Sequence, residues 1–95
     1  TEALVQRVVR ERSSRFRHCY ERVLRRDPAL AGEVSVVIRI DTDGRVAGAT
    51  PRSSVGGLSE VSRCVGAATR SLRFPRPSDG GQATVIQSIA FSPAG

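Results

Sequence analysis

The chain has 95 residues, 39% of them hydrophobic and 25% charged, which suits one small globular domain and excludes a second domain or a disordered or collagenous chain. All 15 basic residues are arginine, the formal net charge is +6, and there are two cysteines. No apolar run approaches the roughly 18 residues that cross a bilayer. Thr1-Glu2-Ala3 supplies neither an initiating Met nor the apolar stretch of a signal peptide, so the sequence reads as a soluble piece of a longer protein.

From Leu4 to Leu24 the apolar residues Leu4, Val5, Val8, Val9, Phe16, Cys19, Tyr20, Val23 and Leu24 gather on one stripe at helical spacing. This predicts one amphipathic helix over about residues 3–26, ended by Asp27-Pro28 because the residue before a proline is pushed out of the α region. Arg7, Arg10, Arg17, Arg22 and Arg25 fall on the opposite side. Arg12 falls inside the stripe, so it must either reach out to solvent or mark an irregularity at Ser13-Ser14.

After Gly32 the period becomes two. Val34, Val36, Ile38 and Ile40 share one face and Ser35, Val37 and Arg39 the other, which predicts a strand over about 33–41. Asp41-Thr42-Asp43-Gly44 is a hairpin turn signal, and the chain returns as a weak strand over about 45–51 that Pro51 is expected to stop. Residues 53–57 read as a loop. Leu58, Val61, Val65, Ala68 and Leu72 then recur at steps of three and four, predicting a helix over about 58–73. Phe74-Pro75-Arg76-Pro77 and Ser78-Asp79-Gly80-Gly81 form a turn before a last strand over about 82–92.

The order α-β-β-α-β predicts an α+β domain with two helices on one face of a three-stranded antiparallel sheet. The hairpin makes the first two strands neighbours, and a right-handed crossover brings the last strand in beside the first, giving the order 2-1-3.

Catalytic chemistry finds little support. His18 lies about 100° around the helix from Cys19, so the two diverge, and two Cys with one His fall short of the four ligands of structural zinc. No phosphate-binding glycine loop or Gly-x-Ser-x-Gly elbow is present. The expectation is a non-enzymatic domain with no metal, no cofactor and no small-molecule substrate.

Cys19 and Cys64 lie on or beside the inward stripes of the two helices, which allows a disulfide; two reduced core cysteines are the alternative. A bridge would close a loop of about 45 residues, stabilise the fold by about 4 kcal/mol in the chain-entropy model, and point to an oxidising compartment such as the periplasm. Residues 1–26 hold eight Arg and three Glu, so the basic character is one helix face. That face could meet an anionic partner or simply be solvated. Nucleic acid is the less favoured partner, because the only rings available for stacking are Phe16, Tyr20, Phe74 and Phe91, and three of them read as core.

The last strand draws most notice. Thr84, Val85, Ile86, Gln87, Ser88, Ile89, Ala90 and Phe91 include no charge and no proline, although edge strands are normally protected by one or the other. An open edge of this kind suits addition of a partner's extended segment, or a homodimer made the same way; cover by the rest of a longer chain or by the C-terminal tail is the alternative.

Cys19-Tyr20-Glu21, Gly32-Glu33-Val34, Ile40 to Val46, Cys64-Val65 and Leu72-Arg73-Phe74-Pro75, in that order, resemble the AgmX/PglI C-terminal domain, a branch of the TonB C-terminal-like domains. Val55-Gly56-Gly57 before the second helix departs from that pattern. The resemblance implies a periplasmic domain at the end of an inner-membrane-anchored protein. It also implies a proton-driven motor engaged through the upstream region, and a gliding-motility or other envelope-spanning machine. Further implied are capture of a periplasmic or outer-membrane protein segment along Thr84 to Phe91 and a structural lock at Cys19 and Cys64. An Arg-rich nucleic-acid-binding domain and a purely structural dimerisation domain are the alternatives.

Overall fold

Arg12 interrupts the first apolar stripe, and the chain forms two helices where the spacing predicts one: α1, Glu2–Glu11, and α2, Ser13–Leu24. In this computed structural model, which describes residues 2–53, 58–77 and 80–93, Arg12 leaves helical geometry with φ −106° and ψ 17°. Its N–H still bonds back to the carbonyls of Val8 at 3.2 Å and Val9 at 3.1 Å. An unbroken helix would turn the Arg12 guanidinium into the core, where an unpaired charge is expensive. The break leaves Arg12 exposed while Val5, Val9, Phe16, Cys19, Tyr20 and Val23 stay buried. Leu4, placed in the stripe by its spacing, is 42% exposed at the margin of that stripe, beside the buried Val5.

The hairpin joins β1, Gly32–Ile40, to β2, Val46–Ser53. Gly44 closes its turn at φ 90°, donating to the Asp41 carbonyl at 3.0 Å, while the Asp41 N–H meets the Arg45 carbonyl at 2.8 Å. The register slips between Arg39 and Ile40, so that Ile38 faces Ala49 but Ile40 faces Val46. β2 does not stop at Pro51: it runs on to Ser53, with Pro51 opposite Val36. A strand with only one neighbour tolerates a proline whose missing N–H would have faced away from that neighbour.

The helix α3, Ser59–Arg70, lies over β2, so close that Gly66 faces the Pro51 ring. It ends earlier than its periodicity predicts, because Arg73 bridges to Arg45 and the Phe74 N–H bonds the Gly44 carbonyl at 2.9 Å, drawing the chain onto the hairpin turn. The strand β3, Ala83–Phe91, then pairs antiparallel with β1, and the sheet order is β2-β1-β3 as the connection rules predict. The loop expected at 53–57 and the Ser78-Asp79 part of the turn lie outside the described residues, apart from Ser53, which ends β2.

The core fills the space between helices and sheet. Val34, Val36, Ile38 and Ile40 face Leu58, Val61 and Val65, all at most 2% exposed. Tyr20 is fully buried, stacks on Phe91 with ring centroids 5.0 Å apart, and donates its hydroxyl to the Leu30 carbonyl. All four aromatic rings are buried, one more than the sequence reading assigns to the core.

Candidate strand-docking edge

The two outer edges of the sheet are treated differently. On β2, Arg70 of α3 donates to the Ala49 carbonyl at 3.1 Å, and Pro51 two residues on has no N–H to offer. Those groups therefore face away from β1, and each is blocked. Backbone groups alternate sides along a strand, so Ser35 and Val37 of β1 bond β2, while Val34, Val36 and Ile38 bond β3. Through the register Val34↔Ile89, Val36↔Gln87 and Ile38↔Val85, the N–H and C=O groups of Thr84, Ile86, Ser88 and Ala90 are left pointing outward from β3. The Ser88 carbonyl fits this parity: its contact is the Gln87 side-chain amide at 3.5 Å, a weak one.

The eight β3 residues singled out by the sequence thus divide in two ways. Thr84, Ile86, Ser88 and Ala90 carry the outward backbone groups and point their side chains away from the helices; all four are exposed, Ile86 at 66%. Val85, Gln87, Ile89 and Phe91 face the helix layer, with Val85 and Phe91 buried.

Beside this edge runs a groove of about 740 Å³ between the α1–α2 break and the second half of β3, where Val9, Phe16, Ile89 and Phe91 meet Arg10 and Arg17. Ser13 and Ser14 line it as well, so the break that keeps Arg12 out of the core also shapes the groove. Of the five arginines on the outer helix face, only Arg10 and Arg17 reach this groove. Arg22 and Arg25 line a separate depression with His18 and Glu21, and Arg7 is exposed apart from both. Arg17 has one acidic neighbour, Glu21, at 3.7 Å on an exposed surface, and Arg10 has no carboxylate within ion-pair distance among the described residues.

Cys19 and Cys64 form a disulfide that ties α2 to α3, with Cα atoms 5.6 Å apart. His18 stands on the exposed rim outside this bridge and takes no part in it. Nearby, Arg26 donates to both carboxylate oxygens of Glu60 at 2.7 and 2.8 Å, joining the end of α2 to the start of α3. That hydrogen bonding holds the Glu60 carboxyl below its usual range, with the charges of Arg26, Arg22 and Arg63 acting in the same direction. Among the described residues no three His, Cys, Asp or Glu side chains converge as a metal site, and no helix is long and apolar enough to cross a membrane. Sequence reasoning missed Arg70, the residue that closes the β2 edge; a basic residue in a last helical turn was its only local signal.

Fold and edges together define an α+β domain with one blocked and one open sheet edge. Over 89 residues the chain is 36% identical to part of tyrosine-protein kinase MasK of Myxococcus xanthus, a match covering 92% of this chain. The chain spans only 13% of the length of that relative. No family model and no solved structure matches it.

Proposed function

We propose that this domain is a non-enzymatic protein-interaction module of the TonB C-terminal type, working at the cell envelope and capturing an extended partner segment by strand addition to β3. The observation that carries the reading is the asymmetry of the edges: β2 is blocked by Arg70 and Pro51, whereas β3 presents the outward groups of Ile86 and Ser88. Backbone pairing supplies the attraction and the side chains beside it supply selection. The Cys19–Cys64 bridge suits the periplasm, where such bonds persist. An inner-membrane-anchored protein coupled to a proton-driven motor, in a gliding or transport machine, is the setting we propose, with a periplasmic or outer-membrane protein as partner. Burial of all four aromatic rings favours a protein over a nucleic acid in that role. The chain has no lysine, the residue with which a protein kinase pairs the ATP phosphates, so we assign it none of the activity in the relative's name.

Panning a random library of nine-residue peptides, the length of β3, tests the proposal. Ser88→Pro deletes an outward N–H and no backbone bond to β1; it gives up one exposed side-chain contact, between the Ser88 and Ser35 hydroxyls at 3.2 Å, so the variant is expected to fold. The selected peptides are expected to bind it about fivefold more weakly, the equivalent of one lost hydrogen bond of about 1 kcal/mol. Equal affinity for the folded variant and the wild type would refute strand addition.

A further inference from the structure

We infer that the groove beside β3 selects an acidic segment, one whose carboxylates alternate with apolar residues. The inference rests on the strand-addition reading and specifies the chemistry of the captured chain. In a strand paired to the outer edge of β3, every second side chain points to the helix side and the rest lie beside Ile86 and Ala90. The helix-side positions enter the groove, whose charged lining residues are Arg10 and Arg17, from the end of α1 and the first half of α2. Both guanidiniums are available. Arg10 has no carboxylate partner among the described residues, and the Arg17–Glu21 contact at 3.7 Å is too long for a good hydrogen bond. Carboxylates at alternate positions of the incoming strand satisfy the two guanidiniums, each of which can donate two parallel hydrogen bonds to one carboxylate. The intervening apolar side chains cover Ile86, which is 66% exposed. The net charge of +6 steers such a segment toward the domain before contact. A neutral or basic segment would leave Arg10 and Arg17 facing polar groups or like charges across the groove.

The test uses three labelled nine-residue peptides, alternating valine with aspartate, with asparagine or with lysine, titrated by fluorescence anisotropy against wild type, R10E/R17E and Ser88→Pro. Either register of the first peptide is open to it, and the favoured one places every aspartate under the helices. The aspartate peptide is expected to bind wild type about fivefold to tenfold more tightly than the asparagine peptide, two partly exposed ion pairs being worth about 1–1.4 kcal/mol together. R10E/R17E, checked for folding by circular dichroism, is expected to lose that preference and favour the lysine peptide. Equal binding of the aspartate and asparagine peptides, both lost in Ser88→Pro, would overturn the acidic preference and leave strand addition standing. An aspartate preference undiminished in Ser88→Pro would overturn strand addition instead, and no binding by any peptide would overturn both.

Discussion

Single residues set the geometry on which the rest depends. Gly44 is the clearest case: at φ 90° a side chain is strained, and a Cβ there would run into the carbonyl oxygen of Phe74, whose own N–H is bonded to Gly44. Gly44→Ala is therefore expected to lower unfolding free energy by about 1–3 kcal/mol from backbone strain alone, read as a lower urea midpoint. A variant as stable as wild type would mean that the contact of Phe74 with the turn does not hold. Tyr20→Phe removes a buried hydroxyl and orphans the Leu30 carbonyl, an expected loss of about 1–3 kcal/mol by the same measurement. Glu60 makes a pH-dependent contribution. Its folded pKa is lowered by Arg26, so its stabilisation is fully present above the ordinary glutamate range and is lost as pH falls through the folded value. Glu60→Gln should melt earlier than wild type at neutral pH, and the two melting curves should converge in acid; an unchanging gap would contradict that sign.

At the scale of elements, β1 and the α3 stripe are legible because each rests on an unambiguous period. Val34, Val36, Ile38 and Ile40 alternate without exception, and all four are buried. Two of the misreadings, the unbroken first helix and the stop at Pro51, have one origin, since each turns on what a neighbour does with a residue. Arg12 and the serines after it signalled an irregularity, but a periodic stripe does not say whether a chain bends or breaks, and that depends on the cost of burying the guanidinium. Pro51 looked like a stop, yet on an edge strand the side that lacks its N–H faces no partner. The edge strand β3 was readable from its missing charges, while the parity of its backbone groups required Arg70 and the register. That parity separates two proline substitutions that the sequence treats alike. Gln87→Pro removes a bond to β1 and is expected to cost stability by about 3 kcal/mol or less, whereas Ser88→Pro spares the internal ladder and acts on partner capture. Denaturation midpoints that rank them the other way would show the parity to be inverted.

The whole molecule is a thin two-layer body, 44 × 21 × 17 Å, with every helix on one side of three strands. A core this small leaves a narrow margin, and the bridge across 45 residues of sequence is expected to supply about 4 kcal/mol of it by the chain-entropy model. Reduction, or a Cys19→Ser/Cys64→Ser pair, should lower the urea midpoint accordingly, and an unchanged midpoint would remove the bridge as the lock between α2 and α3. The same thinness leaves one face of the sheet and one edge uncovered among the described residues, and the proposed partner capture uses that edge.

Amide hydrogen exchange along β3 tests that placement most directly. In the free domain the N–H groups of Ile86 and Ser88 are expected to exchange fast and those of Val85, Gln87 and Ile89 slowly, and a bound segment should protect Ile86 and Ser88 selectively. Uniformly slow exchange in the free monomer, or a partner that binds without slowing Ile86 and Ser88, would contradict a strand-docking edge.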